Sequence, residues 1–415
     1  MHVVVFEDAH VSRLFPVTTG RPAYAVSCAS YRLSDWLQRL DVSLRGIVRP
    51  HLAEVQRLDY PAMESGSARA GEPVMLVNAR LVPSVKVFRT LEKLIRDGVA
   101  GVVRHNGEIA AALLSDETPR PPEALKTSEI ADFFSYAGLS NLDRLDAELP
   151  MFTYPHDVVR YNLTAISDNL EFRLANGNYR EARDGVFLAE GARLGDYVVS
   201  DTKDGPILID ANASVGSYCY LSGPAWLGAK ARLIEHAAIK DAVSINHTTK
   251  IGGEVEASVI EAYTNKQHYG FLGHSYLGSW INLGAGTCNS DLKNTYGEVK
   301  MQYGRRKVST GMQFVGSIFG DYAKSAINTG IFTGKTIGVC SMVYGFVTTN
   351  VPSFVNYARL FGQVTELSPE VMISTQKRMF ARRNVEQRPC DAQLLRDMYQ
   401  LTIEERRLAD EPLAL

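Results

Sequence analysis

Residues 209–251 read IDANASVGSYCYLSGPAWLGAKARLIEHAAIKDAVSINHTTKI. Ile209, Val215, Leu221, Leu227, Leu233, Ile239, Ile245 and Ile251 recur in it at a constant spacing of six. A helix turns every ~3.6 residues and cannot hold that beat on one face, and a strand alternates every ~2. A period of six suits a chain that turns a corner after each short extended side. Three such sides make a coil of about eighteen residues, and stacked coils bury the aliphatic positions along their axis. The pattern is that of a hexapeptide-repeat solenoid of parallel strands. Glycine follows the aliphatic position at Gly216, Gly228 and Gly252, and again at Gly278, Gly284 and Gly338. Tight corners need residues without bulk or with a positive φ. The beat returns at Phe271, Leu277 and Leu283 and at Ile331, Ile337 and Val343.

The step from Ile251 to Phe271 is twenty residues (271 − 251), not eighteen. This spacing predicts two residues bulging out near the sequence TNKQH (264–268). Residues 284–311, GAGTCNSDLKNTYGEVKMQYGRRKVSTG, are polar, glycine-rich and without the beat. They predict a longer extruded loop, with a hairpin as one form it can take. Chemistry on a solenoid belongs to such extrusions, because the stacked sides are committed to packing.

The stretch KQHYGFLGHSYLGSWINLGAGT (266–287) resembles the acetyltransferase half of the bifunctional N-acetylglucosamine-1-phosphate uridyltransferase/glucosamine-1-phosphate acetyltransferase family. Closer still is a divergent branch described as sugar nucleotidyltransferases, through NKQHYGFLGHSYLG, INLGAGT and SDLKNTYG. That resemblance implies a left-handed parallel β-helix, a homotrimer, an acetyl-CoA site between subunits and products of the UDP-N-acetylglucosamine type for the cell envelope. It implies His268 as the catalytic base, Glu254, Lys266, Asn282, Asn289 and Lys293 as substrate contacts, and Gly284 and Ala285 beside acetyl-CoA. Departures stand at Glu256, Phe271 and Ser290, where the family carries Lys, Tyr and Tyr. A changed acceptor and a lost activity are both open. The residue types suit acyl transfer: a histidine titrates near working pH, corner N–H groups can meet a carbonyl oxygen gaining charge, and polar side chains can hold the acceptor. A hydrogen-bonded structural role for His268 is the alternative.

Ahead of the repeats, MHVVVFED, EPVMLVNARLVPS and VAGVVRHNGEIAAALL read as strands, the last a hairpin turning at Asn106-Gly107. RLSDWLQRL and VKVFRTLEKLIRDG read as helices, the second stopped by Gly98. The pattern predicts an open mixed sheet with helices on its faces. Neither GxGxxG nor GxxxxGK[ST] occurs. SRLFPVTTGRP (12–22) resembles the start of sugar-nucleotide pyrophosphorylases, which implies Arg13 and Arg21 on nucleotide and phosphate groups. Where those enzymes carry a glycine-rich loop, this chain has Glu7, Asp8, Ala9 and His10. Where they carry a metal-binding Asp, it has Asn78-Ala79-Arg80. If nucleotidyl transfer is retained it needs Mg²⁺ and a carboxylate to hold it, for which Asp157 and Asn162 are the candidates.

The 415 residues carry 44 Lys plus Arg and 46 Asp plus Glu, a net charge of −2, which offers no attraction to nucleic acid or an acidic membrane. Five scattered cysteines without a CxxC pair fit a reducing compartment, and no apolar run reaches membrane-spanning length; a cytoplasmic protein is expected. Ser368-Pro369-Glu370 opens a helical tail, AQLLRDMYQL puts Leu394, Met398 and Leu401 on one face, and Thr402 with Glu405 suggests a capping box. The tail is expected to cover the open end of the solenoid. The expectation is a nucleotidyltransferase-like α/β domain over 1–160, a left-handed β-helix over 161–360 and a helical cap over 361–415. The function expected is sugar-nucleotide biosynthesis by acyl and nucleotidyl transfer on sugar-phosphate and nucleotide substrates, with acetyl-CoA as cosubstrate. An acyltransferase alone, or a non-catalytic sugar-nucleotide-binding scaffold, is the alternative.

Overall fold

A computed structural model describes residues 1–64 and 71–409. They divide into two compact units, the first made of Met1–Val26 with Tyr31–Tyr154, the second of Ser27–Ser30 with the chain from Pro155 onward.

The first unit is built on five strands: β1 (His2–Phe6), β2 (Ser43–Ile47), β3 (Val74–Asn78), β4 (Gly101–His105) and β5 (Glu108–Leu113), in the order β2-β1-β3-β5-β4. β1 runs parallel to β2 and β3, while β5 is antiparallel to β3 and β4. This is the open mixed sheet the sequence predicts. β1 and β3 are buried at every position, which is why they read as unbroken apolar runs rather than as alternations. Asn106 and Gly107 turn the β4–β5 hairpin with φ of 50° and 85°. Helix α1 (Leu33–Leu37) and α2 (Ala53–Asp59) are short. Helix α3 (Val85–Asp97) starts on the Ser84 cap and ends at Gly98, whose φ is 65°. Trp36 of α1 stacks on Phe88 of α3 at 5.1 Å. Ile130 and Phe133 of α4 (Ile130–Tyr136) join the sheet core with Phe6 and Leu76.

The second unit opens with α5 (His156–Ala175) and continues into three stacks of parallel strands. The first stack runs from Val186–Leu188 to Lys335–Ile337, and the second from Arg193–Leu194 to Val355–Ala358. The third runs from Val199–Asp201 to Phe271–Gly273 and resumes at Cys288–Asn289. All eight aliphatic residues of 209–251 lie in one buried core. Ile209 pairs with Leu227 and Leu227 with Ile245, eighteen residues apart each time (227 − 209, 245 − 227).

The predicted two-residue bulge is absent. The coils instead shorten. Val255 pairs with Ile239 and Ile260 with Ile245, so the side after Ile251 has four residues (255 − 251) and the next has five (260 − 255). Lys266 then pairs with Ile251, inside the strand Asn265–Lys266, and TNKQH is not an extruded loop. Leu272 takes the inward place expected of Phe271 and pairs with Val255. The larger extrusion does form: Leu277 pairs with Phe319 at a separation of 42 (319 − 277), and Lys300–Tyr303 pairs antiparallel with Arg306–Ser309.

The tail folds into α6 (Pro369–Ala381), α7 (Pro389–Leu401) and α8 (Ile403–Ala409). It touches the last coil, where Glu405 accepts from Ser353, but it also lies against earlier coils. Phe380 packs on Trp280 at 4.4 Å and Arg383 donates to Asn265 at 2.6 Å. Leu394 and Met398 are buried, whereas Leu401 is exposed. The Thr402–Glu405 box does not form, because Glu405 binds Ser353 and Thr402 donates to the Met398 carbonyl. No described helix is long and apolar enough to cross a membrane, and all five cysteines are free.

Candidate functional site

His268 lies in the turn between the strand Asn265–Lys266 and the strand Phe271–Gly273. Its side chain is exposed and makes no hydrogen bond among the described residues. Its backbone is held from inside the coil. Lys266 is 2% exposed, and its Nζ donates to the Gly252 carbonyl at 2.6 Å and to the His268 carbonyl at 3.0 Å. Burial pushes the Lys266 ammonium down to about 8. Lys266 was expected to meet substrate. It is instead an inward residue that ties the corner of one coil to the corner of the next.

The same corner recurs one coil later as Gly284-Ala285-Gly286, between Asn282–Leu283 and Cys288–Asn289. The Gly286 N–H donates to the Tyr269 carbonyl at 3.0 Å, and the Tyr269 hydroxyl donates to Asn328 at 3.2 Å, another coil on. The Gly284 N–H is taken by Ser325. Of the three N–H groups expected to face a carbonyl oxygen, only that of Ala285 is free of a partner among the described residues. Asn282 is exposed and stands beside Asn265 in the strand ladder. Glu254 is 39% exposed and pairs with Lys240 at 2.5 Å. Asn289 is 6% exposed and grips Gly273 at both ends, accepting from its N–H at 3.0 Å and donating to its carbonyl at 3.1 Å. Its amide therefore fixes the backbone at the edge of a cavity that Asn289 also lines.

Beside this corner, the loop and hairpin after Leu283 roof a cavity of about 750 Å³ over the strands Cys288–Asn289, Gly330–Ile331 and Phe346–Val347. Lys293, Lys300, Lys307 and Lys335 line it, Phe332 and Phe346 offer apolar faces, and no carboxylate is among its lining residues. Burial and the neighbouring Lys307 hold Lys335 below the usual lysine range. Such a cavity suits an anion with an apolar or aromatic body. Lys293 was anticipated here; the other three lysines carry no motif and become a set only when the hairpin folds back.

In the first unit, Arg13 is 35% exposed and donates to Glu108 at 3.1 Å, while Arg21 is buried at 8% exposure. Arg21 therefore offers its backbone carbonyl to Arg49 at 2.9 Å rather than an open guanidinium to solvent. Glu7 and Asp8 leave the end of β1 toward different partners. Glu7 accepts from Arg49 at 3.0 Å and from the Ala23 N–H at 2.8 Å. Asp8 meets Arg80 at 2.7 Å and Asn78 at 2.8 Å. Asp8, His10 and Glu108 each bring a ligand atom within 4.8 Å of the others. Yet Arg80, fully buried, binds both carboxylates, reaching Glu108 at 2.5 Å. Its guanidinium holds Asp8 and Glu108 below the usual carboxylate range against their burial. A divalent ion does not fit beside that fixed charge.

The expected metal ligands fare no better. Asn162 is fully buried, and its amide serves Ala29, Ser244 and Ala242. Asp157 is paired with Arg160 at 2.9 Å.

Residues 3–177 match the sugar nucleotidyl transferase family model. The bifunctional sugar-1-phosphate nucleotidylyltransferase/acetyltransferase of Sulfurisphaera tokodaii is 27% identical over 148 residues, 35% of this chain and 37% of that one. The bifunctional protein GlmU of Ralstonia pickettii is 32% identical over 115 residues, 27% of this chain and 24% of that one. The chain thus spans about a third or less of the relatives it matches. The Arabidopsis UDP-N-acetylglucosamine acyltransferase structure overlaps 56% of this chain and 96% of its own, at 11% identity and a TM-score of 0.30, too low to add to the strand pairing itself. Residues 3–177 are therefore similar to the sugar nucleotidyl transferase family, and parts of the chain are similar to parts of bifunctional nucleotidylyltransferase/acetyltransferases.

Proposed function

We propose that the protein is a transferase of sugar-nucleotide biosynthesis. Its β-helix moves an acyl group from acyl-CoA, acetyl-CoA in the first instance, to an amino-sugar phosphate. The observation that carries this reading is the stacked corner, where the free imidazole of His268 and the free N–H of Ala285 sit one coil apart, joined by the Tyr269–Gly286 hydrogen bond. Acetyl-CoA supplies the thioester. His268 takes the proton that the sugar ammonium must lose before its nitrogen can attack. The Ala285 N–H meets the carbonyl oxygen as it gains charge. Glu254, Asn282 and Lys293 orient the acceptor, and the lysine-lined cavity receives phosphate groups. Lys266 and Asn289 act through the backbone they hold.

The nucleotidyl reading of the first unit is transfer of the uridylyl group of UTP to a sugar 1-phosphate, the sugar phosphate oxygen replacing pyrophosphate, which leaves; it rests on the family match over 3–177. One observation favours a second reading, nucleotide-sugar binding without turnover: Arg80 fills the carboxylate pair to which Mg²⁺ would go. The working assembly is a homotrimer in the cytoplasm. The test is thiol release from acetyl-CoA in the presence of glucosamine 1-phosphate and related amino-sugar phosphates. His268→Ala should lower kcat by ~100-fold or more. A variant as active as the parent would end the acyltransferase reading.

A further inference from the structure

Among the described residues, Asp8, His10 and Glu108 are the set from which a metal site would be assembled, yet every carboxylate oxygen in it already has a donor. Asp8 Oδ1 accepts from the His10 N–H at 3.0 Å, and Oδ2 from Asn78 at 2.8 Å and Arg80 at 2.7 Å. Glu108 Oε1 faces His10 Nδ1 at 2.7 Å and Arg13 at 3.1 Å, and Oε2 accepts from Arg80 at 2.5 Å. Arg80 has no room to withdraw. It is 0% exposed, its Nη1 donates to the Phe152 carbonyl at 3.0 Å, and its own N–H is capped by Asn78 at 3.0 Å. Two carboxylates face two guanidiniums, so the formal charge of the four is −2 + 2 = 0. A divalent ion entering here would stand beside a buried cation with no net negative charge to hold it, and displacing Arg80 would leave a charge stranded in the interior.

We infer that Arg80 is the resident cation of the first unit, and that this unit takes up a nucleotide or sugar-phosphate anion without a divalent ion. The clause about phosphate rests on the function proposed above; the clause about the metal rests on the geometry alone. Arg13 supplies the outward charge. It uses one nitrogen on Glu108, is 35% exposed, and keeps the rest of its planar fork for a phosphate.

Two measurements on the full chain test this. The first titrates Mn²⁺ into protein without nucleotide and follows free Mn²⁺ by electron paramagnetic resonance. The wild type should show no stoichiometric site that depends on Glu108. A one-to-one site lost in Glu108→Gln would overturn the inference. Arg80→Ala should gain such a site, and Arg80→Ala with Glu108→Gln should lose it. If Arg80→Ala does not fold, the wild-type titration still decides.

The second measures UDP and UDP-hexose binding by calorimetry in Mg²⁺ and in EDTA. The expected Kd values agree within about twofold, and Arg13→Ala weakens both by about tenfold, the loss of one charge-assisted contact. Binding that appears only with Mg²⁺ would overturn the inference. Binding in neither condition would remove the nucleotide reading and with it the clause about phosphate, while the Mn²⁺ titration would still judge Arg80.

Discussion

Single residues in the repeats divide the labour of turning corners. The glycines after the aliphatic positions are not the left-handed ones. A Cβ on Gly216 would lie 2.7 Å from the Glu235 nitrogen, and one on Gly252 would lie 2.1 Å from the Gln267 carbonyl oxygen, both on the next coil. Left-handed positions at these corners include Asn212, Lys230, His236 and Thr248, with φ between 59° and 64°. The sequence shows where glycine is but not which of its two properties is in use, because both lie at corners. Gly252→Ala should cost about 1–3 kcal/mol, the usual range for overpacking, in chemical denaturation. Lys230→Gly, which relieves a strained φ at the expense of unfolded-state entropy, should change stability by less than about 1 kcal/mol. Equal losses in both would contradict this division.

Lys266 makes a second residue-scale case. Its position in the beat was legible only as an anomaly, and KQH suggested a cluster facing outward. Five-bond reach lets the ammonium leave the aliphatic stack and find two carbonyls, so a charged residue fills an inward place. Its folded pKa of about 8 lies below the ordinary lysine value of 10.5. The unfolded chain therefore binds more protons between those values, and stability contributed by this residue rises with pH from about 8 to about 10.5. Below pH 8 both states are protonated and the penalty is complete, up to about 3 kcal/mol. Stability of the wild type relative to Lys266→Met should climb across that window. A difference that stays flat with pH would show the ammonium to be no worse off folded than unfolded.

Elements were legible in proportion to how local their signals are. The β4–β5 turn, the Ser368 cap and the Gly98 stop depend on neighbours within a few residues, and each forms where expected. The register through 251–272 was not legible. A missing pair of residues on one side and a missing residue on the next give nearly the same count as an insertion on a later one, and only strand pairing tells them apart. The Thr402–Glu405 box failed because Ser353, distant in sequence, competes for the same carboxylate. An extruded loop was expected, with a hairpin as one form of it, but its role as a roof was not, since Lys300, Lys307 and Lys335 converge only in three dimensions. Replacing residues 300–309 by a short glycine-serine linker should leave the coils folded, as they pair without it. The KM for acetyl-CoA or for the sugar phosphate should then rise by about tenfold or more, with circular dichroism unchanged. Unchanged KM values for both substrates would mean that the cavity takes neither.

At the scale of the whole molecule, two units of different chemistry share one chain, and their candidate sites draw on no common residue. The β-helix reads clearly from sequence because its repeat averages over many coils. The first unit reads less clearly because its decisive feature is one short stretch, Asn78-Ala79-Arg80 where a metal-binding Asp was expected, and the part Arg80 plays depends on Asp8 and Glu108 arriving from elsewhere in the sheet. This separation makes the two proposed activities separable by mutation. His268→Ala should lower acetyl transfer by ~100-fold or more and leave UDP-sugar binding within about twofold, because the two proposed sites are built from different residues. Arg13→Ala should weaken UDP-sugar binding about tenfold and leave acetyl-CoA turnover within about twofold. Both variants should keep the parent's mass in light scattering, expected near three times 45.8 kDa for the proposed trimer. A single substitution that removed both functions while preserving mass and melting temperature would show that the sites are coupled. The protein would then have to be treated as one catalytic device rather than two.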